Sequence, residues 1–206
     1  MLVTDDRLVE GRDLVALALA AERGGASSVQ LRLKLASPRE QVARARALVA
    51  ALRIPVLVND RPDIALAAGA AGVHLGPDDL PVALARRVVP PGFIVGASVG
   101  SADEAGGAVE ADYWGIGPWR ATGTKGDAGE ALGAEGFRRL AGLGGGRPCI
   151  AIGGVRAEDV PVVFAAGGAG VAVVSGILGE QDVEQATGRY ADMKNKGVIL
   201  SGAKEP

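Results

Sequence analysis

The chain has 206 residues, 48% of them hydrophobic, which suffices for one substantial core and argues against a second domain. Its 22 Lys and Arg against 24 Asp and Glu give a formal net charge of -2. The electrostatic footprint of a nucleic-acid binder is therefore missing, and any cations that matter act locally. The single cysteine, Cys149, supports neither an internal disulfide nor a zinc pattern. No stretch approaches the roughly 18 uninterrupted apolar residues of a membrane span, and the start lacks the basic and apolar regions of a leader. A reducing, cytoplasmic location is expected, with no membrane or nucleic-acid partner.

Short apolar runs rich in β-branched residues recur along the chain: LVT (2–4), SVQL (28–31), PVLV (55–58), GVHL (72–75), FIVGA (93–97), YWGI (113–116), CIAI (149–152) and VAVV (171–174). Near-continuous apolarity suits strands covered on both faces, as in a parallel sheet. Segments with helical spacing separate them, at 12–23, 38–52, 62–68, 80–88, 102–109, 134–142, 159–166 and 182–195. Gly24-Gly25, Gly69 and Gly167-Gly168 follow predicted helices where a left-handed cap is wanted, and Pro38, Pro62 and Pro81 stand near helix starts. This alternation predicts an α/β fold, a single (β/α)8 TIM barrel over 1–196, with 197–206 as a polar, weakly ordered tail. The first run begins at Leu2, so no preceding segment is expected to plug the barrel bottom.

In such a barrel the chemistry belongs at the C-terminal strand ends, whose loops converge on one mouth. The second run leads into Gln30-Leu31-Arg32-Leu33-Lys34, and period-two alternation puts Gln30, Arg32 and Lys34 on one face. An amide and two cations there suit a polyphosphate, the plain alternative being a solvated strand end. The third run ends in Asn59-Asp60-Arg61, and the fourth in His74-Leu75-Gly76-Pro77-Asp78-Asp79. Magnesium takes a few carboxylate oxygens together with substrate phosphate and water, so Asp60 with Asp79 reads as a site for Mg²⁺ and a diphosphate. Each carboxylate, like Asp78, could instead form an Asx turn or cap a helix. His74, the only histidine, reads as a packed strand-end residue rather than a general base.

The fifth run ends in Gly96-Ala97-Ser98, with a hydroxyl available to the mouth. After the sixth comes a long loop, 117–127, in which Thr122, Gly123, Thr124 and Lys125 offer donors suited to a lid, a merely solvated loop being the alternative. Gly153-Gly154 and Val174-Ser175-Gly176-Ile177 follow the last two runs, where barrels bind a phosphate through backbone N–H groups. Two anion sites result. One is cationic and metal-assisted, from loops two to six; the other is backbone-built, from loops six to eight.

With those residues assembled, the sequence resembles the thiamine-phosphate synthase family over nearly its whole length, from LVTDD to VVSGI. The resemblance is carried by Q-L-R-L-K, N-D-R, V-H-L-G-P-D-D-L-P, G-A-S, G-I-G-P with T-G-T-K, I-G-G-V and V-V-S-G-I. It implies a transferase in which the ring nitrogen of a phosphooxyethyl thiazole, or of its carboxylated form, displaces diphosphate from hydroxymethylpyrimidine diphosphate. The implied product is thiamine phosphate. By the same likeness, Gln30, Arg32, Lys34, Asn59, Ser98 and Lys125 hold the pyrimidine diphosphate, Asp60 and Asp79 hold Mg²⁺, and Thr122, Thr124, Gly154, Val174 and Ser175 hold the thiazole phosphate. Leu31, Leu33 and Gly123 also border substrate, and Arg32, Lys34, Ser98 and Lys125 form the catalytic set.

Such a reaction needs no enzymic nucleophile or base, because a resonance-stabilised pyrimidinylmethyl cation requires only a neutralised leaving group and an aligned acceptor. Val99-Gly100 and Trp119-Arg120-Ala121 depart from the family's usual residues. The alternatives are a thiazole tautomerase-like relative, a Schiff-base aldolase using Lys125, and a noncatalytic phosphometabolite-binding barrel. Arg32, Lys34, Asn59, Asp60, Asp79 and Lys125 together argue against the first, and the phosphate-binding neighbours of Lys125 against the second. A homodimer is left open.

Overall fold

A computed structural model describes residues 1–121 and 130–201, with side chains as far as Met193. One eight-stranded sheet holds the strands in chain order: β1 (Leu2–Val3), β2 (Val29–Leu31), β3 (Val56–Asn59), β4 (Gly72–Leu75), β5 (Ile94–Val99), β6 (Tyr113–Ile116), β7 (Cys149–Ile152) and β8 (Gly170–Ala172). Each pairs in parallel with the next. The sheet then closes on itself. Leu2 bridges to Val173 in parallel, Val3 N–H donates to Val173 O at 2.9 Å, and Val173 N–H donates to Met1 O at 3.0 Å.

The helices are α1 (Asp6–Val9), α2 (Leu14–Arg23), α3 (Pro38–Ala51), α4 (Pro62–Ala68), α5 (Val82–Val88), α6 (Ala102–Gly107), α7 (Gly133–Gly142), α8 (Val160–Ala165), α9 (Ser175–Leu178) and α10 (Val183–Ser201). Local chemistry explains several starts. Asp13 caps α2 by accepting from the Val15 and Ala16 N–H groups, and Ser37 with Glu40 forms a capping box ahead of Pro38 in α3. Gly69, at φ 70, ends α4 in the left-handed cap its position suggested. By contrast, α5 starts after Pro81 with no side-chain cap, so neither Asp78 nor Asp79 serves there. Single turns such as α1 and α9 are too short to show a helical period in sequence.

Two boundaries differ from expectation. β5 continues to Val99, one residue past the Ser98 expected to end it. α10 continues to Ser201, into the segment expected to be a tail. The breaker there, Gly197, costs a helix interior only about 1 kcal/mol, too little to end it.

Period-two alternation divides the strand side chains. Leu31, Val58, Val73, Leu75, Ala97, Trp114, Ile116 and Ala151 join one hydrophobic cluster with Leu48, Ile64, Ala85, Phe137, Leu140 and Val163 from the helices. Gln30, Asn59, His74, Ser98 and Tyr113 occupy the alternate positions and hydrogen-bond among themselves. Hydrophobic layers thus lie between sheet and helices, while polar groups gather in the upper barrel. Among the described residues no helix is long and apolar enough to cross a membrane.

Phe137 is fully buried and meets the Trp119 ring edge-on, with centroids 5.8 Å apart. Truncating it empties a packed site in the layer behind β6. Phe137→Ala is expected to lower unfolding free energy by about 3–5 kcal/mol. In urea titrations this appears as an earlier midpoint at an unchanged slope.

Candidate active site

The mouth begins with a contact between the first two strands. Thr4 is buried; its hydroxyl donates to Arg32 O at 3.2 Å and accepts from Arg32 N–H at 2.7 Å. Asp5, the N-cap of α1, takes the Arg32 guanidinium at 3.3 Å. Asp6 accepts from the backbone N–H groups of Lys34 and Leu35 at 2.8 and 3.2 Å. Thr4, Asp5 and Asp6 therefore shape the Q-L-R-L-K turn, a role the sequence reading did not give them. Its only signal was an apolar run ending in two carboxylates.

Gln30 donates from Nε2 to Asn59 Oδ1 at 3.3 Å, joining β2 to β3. Leu31 and Leu33 lie in the hydrophobic cluster, so only their main chain is available to a ligand. Beyond Asn59 the chain turns sharply. Arg61 N–H donates to Asn59 O at 2.8 Å across Asp60, whose φ is 64. That three-residue turn is the rare positive-φ form, held at a cost of about 1–3 kcal/mol, and such strain gathers at functional sites. The Asp60 N–H is secured to His74 O at 2.8 Å.

The turn sets the Asp60 carboxylate 3.3 Å from Lys34 Nζ and within hydrogen-bonding reach of the Asp79 carboxyl. Asp79 itself accepts from Gly76 N–H at 2.7 Å. Burial, then the hydrogen bond and charge of Asp60, hold the Asp79 carboxyl above its ordinary range, against the pull of the Gly76 N–H and Lys34. The neighbouring strand ends thus bring together the two carboxylates that the sequence paired. Among the described residues no three His, Cys, Asp or Glu converge into a full metal cage. Two carboxylates suit a cation whose remaining oxygens come from phosphate and water.

Deeper in the barrel, His74 is buried between Tyr113 Oη, 2.9 Å from Nδ1, and Ser98 Oγ, 3.0 Å from Nε2. It is packed, as the sequence suggested, and it also touches a candidate site residue. Val99 is buried in β5, and Gly100 N–H donates to Glu104 at 2.7 Å just before Ser101 caps α6. The Val99-Gly100 departure therefore forms a tight strand-to-helix turn.

On the opposite side, Gly153 and Gly154 adopt φ of 88 and 67, a region disfavoured for residues with a Cβ. A methyl group on Gly154 would also come within 2.9 Å of Arg120 Cβ. Arg120 N–H donates to Gly153 O at 2.9 Å, and its guanidinium forks onto the buried Asp159, which also accepts from Arg156 N–H at 2.8 Å. Trp119 is buried against Phe137. The Trp119-Arg120 departure is thus an anchor fixing the start of loop six onto loop seven. Tyr190 of α10 donates to Val155 O at 3.2 Å and lies over Gly176, joining loops seven and eight. Val174 is partly covered and Ser175 exposed at the start of α9, where first-turn N–H groups lack intrahelical partners. Thr122, Gly123, Thr124 and Lys125 lie outside the described residues.

A family model described as thiamine monophosphate synthase matches residues 1–177. A thiamine-phosphate synthase of Azorhizobium caulinodans is 48% identical over 190 residues, covering 90% of this chain and 89% of its own. One from Methanoculleus marisnigri is 44% identical over 196 residues, covering 93% and 92%. Among solved structures, a thiamine phosphate pyrophosphorylase from Pyrococcus furiosus aligns with a TM-score of 0.85 at 34% identity, over 96% of this chain and 95% of that one. A 3-hexulose-6-phosphate synthase, at a TM-score of 0.65 and 17% identity, shares the fold alone.

Two outcomes follow from the geometry. The raised pKa of Asp79 means that the metal-free fold is favoured while that carboxyl is protonated and loses this contribution as pH rises through its folded pKa. Asp79→Asn is therefore expected to raise the thermal midpoint of metal-free protein at about pH 7, with the gain closing toward about pH 4. A lower midpoint at neutral pH would contradict the crowding of the two carboxylates. Arg120→Ala should cost about 1–3 kcal/mol by depriving a buried carboxylate of its partner. Asp159→Asn made in the Arg120→Ala background should add less than it costs alone, as a double-mutant cycle by urea unfolding would read.

Proposed function

The chain belongs to the thiamine monophosphate synthase family and is a transferase that joins a pyrimidine unit to a thiazole phosphate to form thiamine phosphate; we propose that its mouth divides this work between a metal-assisted diphosphate half and a backbone-built monophosphate half. The supporting observation is charge. Among the described residues of the first half, the cations Arg32 and Lys34 stand against four carboxylates, Asp5, Asp6, Asp60 and Asp79. A diphosphate brought to that sector alone meets net repulsion. Asp60 and Asp79 would hold Mg²⁺, which when bound supplies the positive charge that draws in the diphosphate and stabilises it as it departs. A reaction on a single monophosphate has no use for this cluster.

Gln30, Asn59 and the main chain at Leu31 and Leu33 position the pyrimidine end. Arg32, held in place by Asp5, and Lys34, which swings from Asp60 onto the ligand, neutralise the charge that grows as the C–O bond breaks, its electron pair leaving with the diphosphate. Ser98 offers its hydroxyl to the same substrate, and Lys125 adds a further cation. Thr122, Gly123, Thr124, Gly154, Val174 and Ser175 hold the thiazole phosphate. That remote anchor aligns the neutral ring nitrogen, whose lone pair forms the new C–N bond.

The test is incubation of both phosphorylated halves with Mg²⁺, using either thiazole form, and measurement of thiamine phosphate. Asp60→Ala should lower turnover by about 100-fold or more while the fold survives. Arg32→Ala should raise KM for the pyrimidine diphosphate and leave that for the thiazole phosphate within about twofold, and Ser175→Leu should do the reverse. Equal movement of both constants in both variants would defeat the division.

A further inference from the structure

A hydrogen-bonded chain crosses three strands inside the barrel, from Tyr113 on β6 through His74 on β4 to Ser98 on β5. Tyr113 and His74 are 9% and 7% exposed, so their polar atoms depend on protein partners rather than on solvent. Glycines make the room. A methyl group on Gly96 would lie 2.2 Å from the Tyr113 ring, and one on Gly115 would lie 3.1 Å from His74 Cε1. The two rings stand 5.5 Å apart at 33°.

The direction of this chain follows from its buried end. Burial raises the Tyr113 pKa, so the group is a phenol with a proton to donate. A buried O–H left without an acceptor is unfavourable, and His74 Nδ1 is the acceptor at hand. An imidazole accepting at Nδ1 carries its proton on Nε2. Nε2–H then donates to Ser98 Oγ, and the serine's own proton is left to point elsewhere.

We propose that Tyr113 is a positioning residue for the coupling reaction, fixing His74 as the Nε2–H tautomer so that Ser98 faces the mouth as a hydrogen-bond donor. The opposite tautomer would take the serine proton and turn lone pairs toward the substrate. Diphosphate oxygens and pyrimidine ring nitrogens are themselves acceptors, so toward these atoms only the donor orientation helps. This inference rests on the placement of Ser98 against the pyrimidine diphosphate in the function proposed above.

His74 is the chain's only histidine, so nitrogen NMR of imidazole-labelled full-length protein reads its tautomer without assignment. At about pH 8, where an ordinary imidazole is neutral, the wild type should show Nε2–H. Tyr113→Phe keeps the ring over Gly96 and removes the hydroxyl. It should shift the tautomer toward Nδ1–H and lower kcat by about 10- to 100-fold, with KM for the thiazole phosphate unchanged. Ser98→Ala should lose turnover similarly yet retain the wild-type tautomer. An Nδ1–H signal in the wild type overturns the proposal, and so does Tyr113→Phe with full turnover or an unchanged tautomer. Full turnover in Ser98→Ala, beside a tautomer shift in Tyr113→Phe, would instead remove the role given to Ser98. If Tyr113→Phe does not fold, the wild-type tautomer alone decides the direction of the chain.

Discussion

Closure of the sheet between β1 and the residue after β8 is the constraint on which the rest of this molecule depends. In an open sheet the loops after the second and eighth strands would sit far apart, and a ligand pair spanning them could not be aligned. Here Val3 N–H donates to Val173 O across the seam, and Val173 N–H donates in turn to Met1 O. The two-residue β1 is short, yet Thr4, Asp5 and Asp6 immediately above it buttress the end of β2. The seam therefore also sets the position of Arg32 and Lys34. The same eightfold closure gives the mouth two sides, with a carboxylate and cation cluster on one and glycine turns on the other.

Charge arrangement on the first side follows from pairing rather than from simple excess of cations. Arg32 is held by Asp5 and Lys34 by Asp60, so both are oriented before a ligand arrives. The Arg32 pair is mostly covered, whereas Lys34 is half exposed. The first therefore acts as a fixed donor, and the second is free to swing away from its partner. Asp60 is held by a strained turn and faces a second carboxylate that burial and repulsion push toward protonation. Such crowding is unfavourable in the empty fold and would be relieved by a cation.

Much of this was legible in the sequence because the barrel repeats one physical pattern. Apolar runs of strand length marked all eight strands, and at the ends of β2, β3 and β4 Gln30 meets Asn59 and Asp60 meets both Lys34 and Asp79. Asp60 and Asp79, 19 positions apart, meet because β3 and β4 are neighbours in register, with Asn59 opposite His74. What escaped was of two kinds. Single-turn helices such as α1 have no period to read. Long-range pairs such as Arg120 with Asp159 or Tyr190 with Val155 join residues that carry no shared motif. Trp119 and Arg120 looked like departures from a family pattern, and only packing against Phe137 and Asp159 gives them a role.

His74 marks the limit of reading residues singly. From sequence, packed histidine and working histidine were competing descriptions, since a lone imidazole after a hydrophobic run supports either. In the fold they coincide. Burial removes water from the imidazole, which gives its hydrogen bond to Tyr113 a hold on its proton, and a second hydrogen bond reaches Ser98. A polar chain in a barrel interior would ordinarily be an expensive substitute for hydrophobic layers. Gly96 and Gly115 lower that cost by admitting the two rings at hydrogen-bonding distance, so that each polar atom replaces the water it lost. The reaction asks for no base, and the chain supplies none. What it supplies is a fixed direction for a hydroxyl, which is the kind of control that a rigid, closed barrel can exert and an exposed loop cannot.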